Sequence, residues 1–217
     1  MIISMNITSS YLEVTSWFLE TLRSLLQKQK TVTIALPGGH SLDGWYAAVI
    51  SNPAVWKGID TTRLCWYLVD ERCVPVESPD RNDAYIWETF LKPLGFAPAQ
   101  FLCLWMPEVD ALEYSEIIGI PDIAIFGLWP DGHIASLFPG HPLLSAQMEG
   151  YVHIFDAPKM PPERITLTVP SIRKIPHTAL FAVWIEKQEA FKNFLNPEQT
   201  FTECPAKILT PEIIFQW

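Results

Sequence analysis

The sequence predicts an α/β protein built on a doubly wound, mostly parallel sheet. Two observations carry this reading. Short β-branched and apolar runs alternate with helical stretches, the pattern of strand–helix–strand crossovers. Those runs are near-continuously apolar, as strands covered on both faces require. At 217 residues the chain suits one domain spanning 1–217, with a sizeable core.

Taken in order, residues 9–29 read as an amphipathic helix, with Ser9 or Ser10 as cap and Leu12, Phe18, Leu19, Leu22, Leu25 and Leu26 on its apolar face. Residues 31–36 form a buried strand that stops at Pro37-Gly38-Gly39, and a helix follows over 42–50. A second buried strand over 64–69 ends at Asp70-Glu71-Arg72. A polar, Pro-rich loop then leads to a helix over 82–91. Strands are expected over 101–104 and 122–126, with a helix over 111–118 between them. Further strands are expected over 152–155, 165–169, 179–184 and 213–215, and a helix over 187–195. The 19 prolines read as loop punctuation, and no internal repeat or low-complexity tract appears.

A net charge of −9 argues against a general nucleic-acid binder, yet permits a small anionic ligand at a local cationic cluster. No apolar stretch reaches the ~20 residues of a membrane span, and the N-terminus lacks a signal-peptide pattern. Cys65, Cys73, Cys103 and Cys204 are scattered and form no C-x-x-C pair. Free thiols in a reducing, cytoplasmic setting are therefore expected.

Four segments carry candidate chemistry. Gly38-Gly39-His40-Ser41 lies between a strand and a helix, where glycine N–H groups and a helix N-terminus can cradle phosphate. An ordinary turn reads the same way. Asp70-Glu71-Arg72 places two acids and a guanidinium past a strand, suited to anion binding or to a surface ion-pair cluster. Asp131-Gly132-His133 follows the 122–126 strand, at the sheet end where ligands bind. His133 can take a proton near neutrality and Asp131 can orient it. Arg164 opens one strand and Lys187 closes another, so the two cations could reach one site. His133, His141 and His153 lack any standard metal spacing, so no metal is expected.

Together these segments resemble, in the right order over about 30–195, the 6-phosphogluconolactonases. That group shares a Rossmann-like fold with the glucosamine-6-phosphate deaminases. The resemblance rests on four stretches: Gly38-Gly39-His40-Ser41; Asp70-Glu71-Arg72-Cys73-Val74-Pro75 with Ser78 to Asn82; Asp131-Gly132-His133-Ile134-Ala135-Ser136-Leu137-Phe138-Pro139-Gly140; and Pro161-Pro162-Glu163-Arg164 with Glu186-Lys187. It implies hydrolysis of 6-phospho-D-glucono-1,5-lactone to 6-phosphogluconate in the pentose phosphate pathway, by a monomer or homodimer without a cofactor. It implies His133 as general base, supported by Asp131, with Asp70 and Arg72 at the reacting end. Gly38, Gly39, His40, Ser41, Gly132, Arg164 and Lys187 would hold substrate and phosphate. The deaminases share Asp-Gly-His-Ile-Ala, but their loop continues to an acid where this chain has Ser136-Leu137-Phe138, and their Asp-Glu-Tyr is Asp70-Glu71-Arg72 here. Trp129 stands where the family pattern has glycine, His40 replaces a small hydroxyl residue, and the Trp-x-x-Asp ending is missing. A sugar-phosphate binder without turnover is the reading those departures favour.

Overall fold

A computed structural model describes residues 6–101 and 111–217. Strand β1 (Asn6–Thr8) leads into helix α1 (Tyr11–Lys28), where the Ser10 hydroxyl accepts the Glu13 N–H as an N-cap. Val14, Phe18, Leu19 and Leu22 form the helix's buried stripe. Strand β2 (Val32–Leu36) precedes helix α2 (Asp43–Ile50), and β3 (Leu64–Leu68) is followed after one residue by β4 (Asp70–Arg72). Helix α3 (Asn82–Ile86) continues as a π-helical turn over Trp87–Leu91, and α4 is Ala111–Ile118. The remaining elements are β5 (Ile123–Gly127), β6 (Tyr151–Ile154), β7 (Arg164–Leu167), α5 (Val169–Ile172), β8 (His177–Ala182), α6 (Gln188–Leu195) and β9 (Ile213–Gln216).

The main sheet has six strands in the order β1-β9-β8-β5-β2-β3, and among the described residues all its strand pairings are parallel. Residues 123–127 of β5 are all buried, as a central strand covered on both faces requires. The chain runs from β2 to β3 on one side, then returns to place β5 on the other side of β2. The loops leaving β2 and β5 therefore diverge at a topological switch point, the crevice where open parallel sheets take ligands.

Two expectations are corrected. The strands read at 152–155 and 165–169 do not join the parallel sheet. As β6 and β7 they form, with β4, a separate antiparallel sheet in the order β4-β7-β6. Residues 70–72, read as a post-strand loop, are themselves a strand because β7 offers them a partner. At 101–104, Phe101 makes one isolated parallel bridge to Trp66, and 102–104 lie outside the described residues.

Candidate active site

The loop after β5 is tightly folded. Trp129 N–H donates to the His133 carbonyl at 3.1 Å, and Gly132 N–H donates to the Trp129 carbonyl at 2.9 Å. Gly132 has φ +84°, and a Cβ there would sit 3.0 Å from Cys204 Sγ. Its carbonyl accepts the Ala206 N–H at 3.0 Å, fastening the loop to the 204–206 segment. Glycine is needed here for its backbone and its lack of bulk. Three residues on, Ala135 takes φ +48°, an uncommon conformation for a side-chain-bearing residue and one that clusters at functional sites.

This loop presents His133, which is buried at 2% exposure. Its Nδ1 lies 2.5 Å from Asp131 Oδ1, and Lys159 Nζ holds the other carboxylate oxygen at 2.7 Å. Burial pushes the Asp131 carboxyl up, but the hydrogen bonds and charges of His133 and Lys159 outweigh it and hold the group well below the usual carboxylate range. Burial also pushes the His133 imidazole below 6.5, with Asp131 opposing. Near neutrality the pair is thus a carboxylate and a neutral imidazole. An ionised carboxylate only accepts, so Nδ1 carries the proton and Nε2 keeps its lone pair. The ring is fixed between Trp129, stacked at 5.1 Å, and Phe138 at 4.5 Å.

Facing it, the antiparallel sheet contributes Asp70, Arg72 and Arg164. Asp70 Oδ2 accepts from Ser136 Oγ at 2.6 Å and lies 4.0 Å from Arg164 Nη1. Arg72 Nη1 donates to the Asp80 carbonyl at 2.7 Å, while its Nε is buried without a hydrogen-bond partner among the described residues. His133, Asp70, Arg72, Arg164 and Gly38 all line one narrow cleft, together with Asn82 and Trp129.

The third wall is the β2 loop. Its Gly38 is dictated by close approach, since a Cβ there would fall 1.8 Å from Asn82 Oδ1. Asn82 in turn donates to the Asp70 carbonyl at 2.9 Å, so loop, helix start and second sheet interlock. Gly39 has φ +75°, and a Cβ there would sit 3.4 Å from the Trp129 ring. Ser41 accepts from Lys187 Nζ at 2.7 Å. Lys187 is 2% exposed, and burial pushes its ammonium down to about 8. The Trp184 and Trp129 rings lie 4.6 Å and 5.6 Å from Nζ, and among the described residues no carboxylate pairs with it. A buried cation of this kind is poised for an anionic ligand.

Three sequence readings change. His40 turns to Asp43 at 3.0 Å and to the Tyr85 hydroxyl at 2.8 Å, and its side chain is largely exposed, so it does not line the cleft. Gly132 shapes the loop against Cys204 and, like Gly39, Ser41 and Lys187, lies beside the cleft without lining it. Arg164 does not join Lys187. Its guanidinium donates to the carbonyls of Pro161, Met160 and Lys159 and faces Asp70, on the Arg72 side. Asn82, Lys159 and Ser136 join the site without being among the sequence candidates. Only Asn82, in the Ser78 to Asn82 stretch, and Ser136, in the His133 loop, had any signal. The three histidines weighed as a metal set pair with separate carboxylates: His133 with Asp131, His141 with Asp156 at 3.0 Å and His153 with Glu163 at 2.9 Å.

The model of a family described as glucosamine-6-phosphate isomerases/6-phosphogluconolactonase matches residues 8–215. The chain is similar to a 6-phosphogluconolactonase of Borreliella burgdorferi, at 29% identity over 196 residues, covering 85% of this chain and 81% of the relative. It is 33% identical over 205 residues to the chloroplastic 6-phosphogluconolactonase 3 of Arabidopsis thaliana, covering 85% of this chain but 62% of that longer protein. Among solved structures, the 6-phosphogluconolactonase of Thermotoga maritima superposes with TM-score 0.76 at 18% identity, covering 98% of this chain and 97% of that one. A monomeric glucosamine-6-phosphate deaminase superposes with TM-score 0.75 at 16% identity, covering 98% and 96%. These likenesses establish the fold, which lactonase and deaminase share, and leave the choice between them to the site.

Proposed function

We propose that this chain, which belongs to the glucosamine-6-phosphate isomerase/6-phosphogluconolactonase family, hydrolyses 6-phospho-D-glucono-1,5-lactone to 6-phospho-D-gluconate. The observation that carries the reading is the His133–Asp131 pair: a neutral imidazole held at Nδ1 by an ionised carboxylate, lining one cleft with Arg72 and Arg164. His133 Nε2 takes a proton from water as its oxygen attacks the lactone carbonyl. Asp131 steadies the imidazolium that forms, and the arginines offset the negative charge that develops on the carbonyl oxygen. His133 then returns the proton to the departing ring oxygen, opening the lactone. Lys187, Ser41 and the backbone of Gly38 and Gly39 hold the 6-phosphate.

Against deamination, Ser136 stands where the deaminase loop continues towards an acid, and its hydroxyl is committed to Asp70. One observation favours binding without turnover: the Trp129 indole lies flat on His133 and lines the cleft. The described thiols Cys65, Cys73 and Cys204 are free, which supports residence in a reducing compartment.

The test is to supply freshly generated lactone to the purified protein and follow its loss against the spontaneous background, with glucosamine 6-phosphate in a parallel arm. Lactone loss above background, without ammonia release, is expected. Ammonia release would replace the reading with the deaminase. Saturable binding of 6-phosphogluconate with no acceleration would replace it with the silent binder.

A further inference from the structure

We infer that Cys73, His153 and Glu163 form a binding site for a zinc-class divalent cation, on the face of the antiparallel sheet opposite the cleft. The strand register places the three together. Arg72 pairs with Arg164 and Glu71 with Ile165 across β4 and β7, while His153 pairs with Ile165 and Ile154 with Arg164 across β6 and β7. The Cys73 N–H donates to the Glu163 carbonyl at 3.0 Å, carrying the ladder one step past Arg72 and Arg164. Side chains alternate between faces along a strand. Asp70, Arg72 and Arg164 therefore point to the cleft, and Cys73, His153 and Glu163 point away from it.

The thiol sulfur, an imidazole nitrogen and a carboxylate oxygen of these residues lie within 4.8 Å of one another. His153 Nε2 is already 2.9 Å from Glu163 Oε1, and its ring packs on Phe155 at 4.2 Å. Sulfur, nitrogen and oxygen donors in a set of three suit zinc with a water in the fourth position. Magnesium and calcium prefer all-oxygen sets.

The surroundings of Cys73 fit the same reading. Burial, then Glu163 and Glu71, push its thiol up to about 12, with Arg81 and Arg164 opposing. The Glu163 carboxylate beside the thiol supplies the charge that attracts a cation, whereas burial pushes Glu71 up to about 7 and its oxygens accept backbone N–H groups. Binding then exchanges the thiol proton for a sulfur–metal bond and releases one proton per ion, so affinity strengthens as pH rises. Cys73 adjoins Arg72 and Glu163 adjoins Arg164. A bound ion would thus link the strand ends on the far face, while the strand ladder itself keeps both arginines in register.

The test uses the full chain under reducing conditions, titrated with cobalt(II) and then zinc(II). Expected are a thiolate-to-cobalt charge-transfer band that saturates at one equivalent, displacement by zinc, and zinc binding on the order of 1 μM or tighter. Cys73→Ser should abolish the band. His153→Ala and the shape-conserving Glu163→Gln should each weaken zinc by about tenfold or more. Cys204→Ser should leave binding unchanged. A wild-type protein with no band and no zinc uptake below about 100 μM overturns the inference, as does a band that survives Cys73→Ser.

Discussion

Lys187→Met separates a ligand-binding cation from a structural one, because the two roles predict opposite changes in stability. The ammonium is buried and, among the described residues, hydrogen-bonded only to Ser41; burial, with Glu186 opposing, depresses it from 10.5 to about 8, which reflects what burial costs the charged form. At ~1.36 kcal/mol per tenfold, that cost is about 3 kcal/mol. Methionine keeps the length and apolar bulk, removes the cost, and loses one hydrogen bond worth about 1 kcal/mol. The ligand-free variant should therefore be more stable by about 2 kcal/mol at pH 7, raising Tm by roughly 4–8 °C for a chain of this size. The advantage should shrink as pH climbs from 8 towards 10.5. In that window the folded wild type sheds the Lys187 proton while the unfolded chain keeps it, so the wild type gains stability with pH. In the lactone assay, KM should rise roughly 10- to 100-fold, matching a lost charge-assisted contact. kcat should change far less, because the phosphate is bound alike in ground and transition states. A lactone without the 6-phosphate should show little difference. A variant less stable than the wild type, or one equally impaired on both lactones, would refute the assignment.

Other outcomes follow from the same geometry. Asp131→Asn should cut kcat by about 10²–10⁴, because the amide can donate to Nδ1 and leave the proton on Nε2. Wild-type kcat/KM should decline only below pH 6.5, since burial lowers His133, and an acid limb above 6.5 would count against His133 as the base. Gly38→Ala should abolish activity, because its Cβ would overlap Asn82 Oδ1 at 1.8 Å; an active variant would mean the β2 loop is not held by Asn82. Chelator treatment should leave lactone hydrolysis unchanged, because the Cys73–His153–Glu163 cluster is turned away from the cleft. Loss restored by zinc would place a metal in the reaction.

The parts of the site legible in the sequence are those set by local chemistry. Continuous apolar runs at 31–36, 64–69 and 122–126 mark three neighbouring strands of the parallel sheet, and their glycine or acidic endings mark the ligand-facing loops. What was not legible depends on long-range pairing. Asp70-Glu71-Arg72 reads as a charged loop until β7 supplies a ladder partner. His40 looks like a phosphate ligand until Tyr85, 45 residues on, captures its ring. Lys159 lies in a proline-rich loop with no pattern to mark it, yet it holds the Asp131 carboxylate.

The switch point between β2 and β5 also bears on how activity is acquired. The cleft draws Gly38, Arg72, His133 and Arg164 from segments that no short stretch of chain contains, and the loop that closes it hangs on Cys204 and Ala206. The sheet inserts β5, β8 and β9 outward from β2 and brings β1 back against β9, so its outermost pairing joins the two ends of the described chain. Closing such long loops is entropically costly and slow. During refolding, helix signal should return well before catalysis, and turnover should serve as a late-stage clock for completion of the sheet.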